Sequence, residues 1–186
     1  MQVNHNFLLN QYKETGVYPI NHNYLFEQFS DYKEIFEQIE NLITNCDYTL
    51  GKSVDEFERN ICALTGSRFA VGVGSGTDAL LLSLIAAGIK NEDEVLVPTF
   101  TYISTVNAIK LNQGKPIFCD VNPKTGCISI EDIKKKISKK TIAILPVHFG
   151  GLPCDLKNIN DMCKSNKLHL IEDAAHAAGA TFGGKK

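Results

Sequence analysis

The chain has 186 residues, of which 44% are hydrophobic and 22% are charged, and its formal net charge is −2. This composition is typical of a globular domain, and the small net charge provides no electrostatic attraction to nucleic acid or to an anionic membrane. The apolar runs are too short to cross a bilayer. The six cysteines include no Cys-x-x-Cys pair, so we expect no metal site and reduced thiols in the cytoplasm.

The first part of the chain predicts an arm followed by two helices. Residues 1–29 show no clean periodicity and are predicted to form an irregular N-terminal arm. Ser30 is then a candidate N-cap for a helix whose apolar residues recur at helical spacing over 35–43. Ser53 and Glu56 have the spacing of a capping box, which predicts that a second helix begins at that point.

From residue 69 onward, short β-rich runs alternate with helical patterns. The predicted strands are 69–73, 94–98, 116–121, 142–147 and 168–172, and helices are expected to begin near Thr77, Tyr102, Ile130 and Asp155. Apolar strands separated by helices indicate an α/β fold with three layers, in which helices cover both faces of a mostly parallel sheet. Such sheets bind ligands at the carboxyl ends of their strands, so we expect the site at that edge.

A glycine-rich turn, Gly72-Val73-Gly74-Ser75-Gly76-Thr77, follows the first predicted strand and opens a helix. Backbone N–H groups at a helix N-terminus bind anions, and glycine allows a close approach, so the turn is a candidate phosphate site. A dinucleotide fingerprint would require an acidic residue at the end of the next strand. The acids 92–94 precede that strand instead, which disfavours a dinucleotide; a structural turn without a ligand remains the alternative.

Two aromatic residues, Phe100 and Tyr102, follow the second predicted strand. An aromatic ring at that edge can stack on a planar heterocycle, or both rings can simply fill the core. His148, in the loop after the strand 142–147, can either contact a phosphate or order its own loop.

The residue whose chemistry is most suggestive is Asp173, at the end of the last predicted strand. A carboxylate there can accept a hydrogen bond from a protonated pyridine nitrogen, as pyridoxal phosphate requires. His176, three residues on, can then reach a substituent of the ring. The alternative is that Asp173 only caps a helix and His176 lies on the surface.

Five segments, taken in order, resemble the DegT/StrS-type sugar aminotransferases, which are fold type I enzymes that use pyridoxal phosphate. The segments are Tyr48-Thr49-Leu50-Gly51, Ser75-Gly76-Thr77-Asp78-Ala79-Leu80, Pro98-Thr99-Phe100-Thr101-Tyr102-Ile103-Ser104-Thr105, Pro146-Val147-His148-Phe149-Gly150-Gly151 and Glu172-Asp173-Ala174-Ala175-His176-Ala177. Any one of them is a weak signal, but five in the same order are highly specific.

The resemblance implies a role for each matching residue. Gly76 and Thr77 would bind the cofactor phosphate, Tyr102 would stack on the pyridine ring, Asp173 would pair with the ring nitrogen, and His176 would contact the ring hydroxyl. Asp173 and His176 are thus the catalytic candidates. Family members transfer an amino group, usually from glutamate, to a keto group on a nucleotide-linked sugar in deoxyaminosugar and polysaccharide biosynthesis. They act as homodimers.

The chain departs from the family pattern in one respect. The family's Schiff-base lysine lies beyond the segment that follows His176, and Lys185 and Lys186 match a surface turn instead. The resemblance therefore implies that 30–186 is the first part of the pyridoxal-phosphate-binding large domain, without that lysine and without the small C-terminal domain. We expect the chain alone to be inactive.

Three alternatives remain open at this stage. Relatives that replace the lysine are sugar dehydratases, so the sequence is also compatible with a dehydratase of the same family. A second alternative is a non-catalytic module that binds pyridoxal phosphate or a partner. A nicotinamide-dependent oxidoreductase is the third, and the missing acid after the strand 94–98 counts against it.

Overall fold

The computed structural model describes residues 28–186, and the chain divides into two compact units, Met1–Gly51 and Lys52–Lys186. The arm predicted for 1–29 lies almost wholly outside the described residues, so the division into 1–29 and 30–186 stays a prediction. In the described part of the first unit, helix α1 (Tyr32–Thr44) confirms the helix predicted from the apolar spacing. Its N-cap is Asp31, so the predicted cap at Ser30 is wrong by one residue. Ser30 instead lies in the turn closed by the hydrogen bond from Tyr32 N–H to the carbonyl of Phe29.

The second unit carries the sheet and five α-helices. Its elements are α2 (Lys52–Thr65), α3 (Gly76–Ala86), β1 (Glu94–Pro98), α4 (Ile103–Leu111), β2 (Lys115–Cys119), α5 (Ile130–Lys136), β3 (Thr141–Ile144), α6 (Leu156–Asn166) and β4 (His169–Leu170). A short 3₁₀ turn, Phe149–Gly151, follows β3. None of the helices in the described residues is long and apolar enough to cross a membrane.

The four strands form one parallel sheet in the order β2-β1-β3-β4. Successive residues of β1 face opposite sides: Val95 and Val97 join the core on the side of α3 and α4, and Leu96 joins the core on the side of α5 and α6. All five residues of β1 are buried, as expected for a central strand covered by helices on both faces. The three-layer α/β/α prediction is therefore confirmed.

The strand order reverses between β1 and β3. The chain passes from β1 to its neighbour β2 and then returns to β3 on the other side of β1. The loops that leave β1 and β3 consequently diverge and open a crevice at the carboxyl edge, which is where ligands bind open α/β sheets. This crevice positions the site described below.

The ladder between β3 and β4 ends earlier than the sequence predicts, because residue 146 is proline. The amide of Ile171 donates to the carbonyl of Ile144, and the next bond of a parallel ladder would run from the N–H of residue 146 to the carbonyl of Ile171. Pro146 has no N–H. Pairing resumes only at one isolated bridge, between Val147 and Asp173.

The strand predicted over 69–73 is wrong. These residues form an extended segment that is not paired with a strand in the part of the chain that the structure describes. Phe69 and Val71 are 74% and 79% exposed. The segment is anchored instead by the amide of Gly72, which donates to Glu58 Oε1 over 2.7 Å. A β-rich sequence becomes a strand only where a partner offers its backbone groups.

The sequence locates most helix starts within a residue. Ser75, Ser129 and Asp155 accept hydrogen bonds from the third residue that follows each of them, and so cap α3, α5 and α6. The capping box predicted at Ser53 is wrong, because α2 already begins at Lys52 and Ser53 lies in its first turn. In α5, Ile133 is fully buried and the neighbouring lysines are exposed, so the lysine cluster is a solvated helix face.

Candidate functional site

The loops after β1 and β3 and the segment after β4 meet at the carboxyl edge and enclose a cavity of about 300 Å³. Three of the five predicted site residues line it: Tyr102, Asp173 and His176. The other lining residues are Phe100, Thr101, Val147, Phe149 and Ala175. Because parallel strands end at one edge of their sheet, residues far apart in the sequence come together there.

The Asp173 carboxylate is held from both sides. Thr105 Oγ1 donates to one oxygen over 3.1 Å, and the amide of Ala175 donates to the other over 3.3 Å. An ionised carboxylate only accepts, and a threonine hydroxyl has a single proton. Thr105 therefore gives its proton to Asp173, and Thr101 must donate across the 2.9 Å contact between the two threonine hydroxyls. The result is a chain of hydrogen bonds that ends on the carboxylate.

The helix that the sequence allows Asp173 to cap does not form. The residues after it make turns, from Ala177 N–H to the carbonyl of Ala174 and from Ala180 N–H to the carbonyl of Ala177. Asp173 is thus a strand-end carboxylate aimed at a cavity, and its side chain does not serve a helix terminus.

Aromatic rings form the walls of the cavity. The ring of Phe100 lies 4.2 Å from that of Phe149, centroid to centroid, and Phe149 meets His176 edge-on at 5.9 Å. Phe100 and Tyr102 are 49% and 77% exposed. The alternative that these two rings fill the core is therefore wrong, and a planar ligand can stack on them.

His176 is oriented by the loop opposite. Its Nδ1 accepts the amide proton of Gly150 over 3.3 Å, so a neutral imidazole carries its own proton on Nε2 and can donate it to a ligand. The loop approaches closely because Gly151 has a φ of +86° and a Cβ there would lie 2.9 Å from the carbonyl oxygen of His176. Only glycine satisfies both conditions.

Gly76 and Thr77 occupy the first turn of α3 and are not among the cavity-lining residues in the described part of the chain. The amide of Asp78 is already taken by the Ser75 side chain. The end of α3 leads through a short turn into the start of β1, and Asn112, just after α4, donates to the Leu81 carbonyl of α3. The residues that follow α3 therefore lead to the amino end of β1, and α3 packs beside α4.

His148 lies on the other side of the segment that carries Asp173. It is 4% exposed, its Nδ1 accepts the amide proton of Cys154 over 3.1 Å, and its Nε2 lies 2.9 Å from Glu172 Oε2. Of the two roles open to His148, the structure supports the ordering of its loop. His148 and Glu172 also border a second cavity of about 350 Å³, together with Lys185 and Lys186.

Three of the buried thiols have raised pKa values. Burial raises the pKa of Cys119 and of Cys154 to about 12, and that of Cys163 to about 11. A thiol with such a pKa carries almost no thiolate at neutral pH and is a poor nucleophile. These cysteines pack as small hydrophobic residues.

Sequence reasoning missed Thr105, Thr101 and Phe149. Thr105 lies in the first turn of α4, whereas Thr101 precedes the helix and its N-cap Tyr102, so helical periodicity gives no signal for the contact between them. Their link to Asp173, 68 residues away, depends on the sheet order and has no local signal. Phe149 belongs to the segment 146–151, but its contact with Phe100 depends on the crevice between β1 and β3.

The chain is similar to proteins of known activity. GDP-perosamine synthase of Vibrio cholerae is 42% identical over 136 residues, which make up 73% of this chain and 37% of that protein. The structure of NtdA from Bacillus subtilis with bound cofactor PMP has a TM-score of 0.80 and 32% identity, over 82% of this chain and 35% of that one. GDP-4-keto-6-deoxy-D-mannose-3-dehydratase from E. coli with bound hydrated PLP has a TM-score of 0.76 and 29% identity, over 81% of this chain and 40% of that one.

The chain thus spans less than half the length of these relatives. A family model nevertheless matches nearly all of the described residues, from 30 to 186. Together with the parallel three-layer fold, this match shows that the chain belongs to the DegT/DnrJ/EryC1/StrS aminotransferase family.

Proposed function

We propose that this chain supplies the cofactor-binding part of a pyridoxal-phosphate-dependent aminotransferase. The substrate is a nucleotide-linked keto-deoxysugar, and glutamate is the amino donor. Membership of the family and the similarity to GDP-perosamine synthase support the reaction and the substrate class. The similarity to a structure with bound PMP supports the cofactor. The observation that carries the proposal is the Asp173 carboxylate, held by Thr105 at the floor of an aromatic cavity.

The residues present fit pyridoxal phosphate. The cavity of about 300 Å³ is lined both by aromatic rings and by Asp173. A pyridine ring needs both a flat apolar wall and an acceptor for its protonated nitrogen. When bound, the cofactor supplies an electron sink that stabilises negative charge on a substrate carbon, and a carboxylate at the ring nitrogen sustains that property.

The local geometry supports each proposed contact. Tyr102 stacks on the ring from its exposed position just before α4, and the Nε2–H of His176 donates to the ring hydroxyl. Gly76 and Thr77 bind the phosphate with their backbone N–H groups at the N-terminus of α3, where the helix dipole favours an anion. Asp173 holds the proton on the ring nitrogen, and the hydroxyls of Thr101 and Thr105 fix the direction of its carboxylate.

The amine that would hold the cofactor covalently is not assigned to Lys185 or Lys186. Both lysines border the second cavity together with Glu172. Side chains alternate along the extended segment that carries Glu172 and Asp173, so Asp173 lies on the opposite side. We propose that the family lysine belongs to a part of the enzyme outside this chain, so that the chain alone binds the cofactor without turnover.

A dehydratase of the same family is the second candidate, supported by the similarity to the E. coli GDP-4-keto-6-deoxy-D-mannose-3-dehydratase. Nitrogen-labelled glutamate and a GDP-linked keto-deoxysugar, given to the complete protein, distinguish the two reactions. An aminotransferase leaves the label on the sugar, and a dehydratase releases a sugar without it.

We further propose a homodimer and a cytoplasmic location for the complete protein. All six cysteines lie within the described residues and are free thiols, in keeping with a reducing compartment. The homodimer is proposed from the family resemblance alone.

Cofactor binding by the 186-residue chain tests the proposal directly. Pyridoxamine phosphate is the appropriate probe, because it has no aldehyde and forms no imine with surface lysines. We expect saturable binding by calorimetry and a loss of about tenfold or more in Asp173→Ala, since a hydrogen bond to a charged group contributes roughly 1.5–3 kcal/mol. Asp161→Ala, on an exposed face of α6, is the matched control and should bind normally. Equal affinity in the wild type and in Asp173→Ala would refute the assignment.

A further inference from the structure

The backbone that carries Asp173 is weakly tied to the sheet. Pro146 interrupts the ladder, and beyond it the segment is held by two backbone bonds, from Asp173 N–H to the Pro146 carbonyl over 3.0 Å and from His148 N–H to the Asp173 carbonyl over 3.1 Å. These two bonds set the position of Asp173 along the strand. Because a backbone hydrogen bond tolerates some misalignment, these two bonds leave room for a limited rotation of the segment about its own axis, which would turn the carboxylate away from the cavity.

The side chains of His148 and Glu172 supply a further tie, on the side of the segment opposite the Asp173 carboxylate. Because His148 Nδ1 accepts the amide proton of Cys154, the neutral ring has its proton on Nε2 and donates it to Glu172 Oε2 over 2.9 Å. The imidazole is 4% exposed and thus has little freedom to move. It is fixed between the loop before α6 and the strand-end segment.

Glu172 and Asp173 are neighbours in an extended segment, so their side chains project to opposite sides. A fixed Glu172 side chain therefore determines how the intervening peptide is rotated, and hence where Asp173 points. His148 contacts both residues, because its backbone N–H donates to the carbonyl of Asp173 and its ring binds the side chain of Glu172.

We propose that His148 and Glu172 form a positioning pair that aims the Asp173 carboxylate at the ring nitrogen of the cofactor. Neither residue lines the cavity of Asp173 and His176, so neither is a catalytic residue. The pair acts through Asp173, and the inference rests on the cofactor role proposed for that carboxylate. Glu172 is 41% exposed at its side chain, so its replacement leaves no buried charge behind, and the fold is expected to persist.

The test compares two probes in each variant: pyridoxamine phosphate and its carbocyclic analogue, in which C–H replaces the ring nitrogen. The ratio of their dissociation constants reports only the contact at the ring nitrogen. We expect the wild type to prefer pyridoxamine phosphate by about tenfold, and Glu172→Ala and His148→Gln to reduce that preference to about threefold or less. Glu172→Gln keeps an acceptor for the His148 proton and should restore most of the preference. His169→Gln, at an exposed histidine of β4, should leave it unchanged.

A general loss of stability weakens the binding of both probes equally and does not change the ratio of their dissociation constants. An unchanged ratio in Glu172→Ala and His148→Gln therefore overturns the positioning pair while Asp173 keeps its role. A wild type that binds the two probes equally well overturns the role of Asp173, and the pair with it. A reduced ratio in Glu172→Ala, restored in Glu172→Gln, supports the pair.

Discussion

Replacement of Thr105 by valine removes the hydroxyl that orients Asp173 and leaves the shape of the side chain almost unchanged. Thr105 is fully buried in α4, and its Oγ1 donates to Asp173 and accepts from Thr101. A hydrogen bond to a charged group contributes roughly 1.5–3 kcal/mol. Water can partly replace this one, because Asp173 is half-buried. We therefore expect Thr105→Val to lower the free energy of unfolding by about 1–2 kcal/mol, which at about 2–4 °C per kcal/mol is a small but measurable fall in Tm.

The same substitution should also weaken cofactor binding. Without the Thr105 proton, the Asp173 carboxylate loses the donor to its Oδ2, and we expect the affinity for pyridoxamine phosphate to fall by about tenfold, or 1.4 kcal/mol. Thr105→Ser is the matched variant, since it keeps the hydroxyl and deletes a buried methyl group at a cost of about 1 kcal/mol in stability. Calorimetric titration and thermal unfolding of both variants separate the two contributions. If serine and valine weaken binding equally, the hydroxyl is not what orients Asp173, and the reasoning is refuted.

Three other changes test separate parts of the structure. Gly151→Ala should lower the free energy of unfolding by about 1–3 kcal/mol, because its Cβ would meet the His176 carbonyl at 2.9 Å. Gly150→Ala, which has open space around its Cβ, should lower it less. Equal losses of stability in thermal unfolding would contradict the close approach at Gly151. A lysine one helical turn away and a backbone N–H lower the pKa of Asp132 in the folded protein. The ionised Asp132 therefore stabilises the fold above the ordinary carboxyl pKa, and this stabilisation is lost as the pH falls through the lowered pKa. Melting from neutral to acidic pH should accordingly show a smaller acid-induced fall in Tm for Asp132→Asn, and an equal fall would count against the ion pair. In native protein at pH 8, iodoacetamide should modify the exposed Cys46. It should spare Cys119, Cys154 and Cys163 until the protein is unfolded, as measured by peptide mass spectrometry. Modification of these three thiols in the native protein would contradict their burial.

The layer order was predictable because its signal is local. β1 is apolar at every position but its first, which is the pattern of a buried strand, and helical patterns were predicted to begin near Thr77 and Ile130, where α3 and α5 start. The edge that holds the cavity was predictable for the same reason, since parallel strands must all end there. Tyr102 and Asp173, which were both predicted at strand ends, line the same cavity at this edge.

The failures arise where the outcome depends on a partner that the local sequence does not specify. The segment 69–73 has the composition of a strand, but pairing also requires a neighbour, and its residues lie exposed instead. The strand ending at Leu170 was predicted too long because the missing donor belongs to Pro146 on the adjacent strand. Thr105 was overlooked because its acceptor lies 68 residues away.

The interruption at Pro146 also allows the end of the sheet to open locally while the rest of the domain stays folded. Opening the last bridge, between Val147 and Asp173, breaks few hydrogen bonds and leaves the strands behind it paired, so such an excursion costs much less than global unfolding. Amide hydrogen exchange at Asp173 should consequently be fast compared with exchange in β1. A ligand that binds the Asp173 carboxylate would shift this local equilibrium toward the closed state. The shift would be seen as slower amide exchange before it was seen in any melting curve.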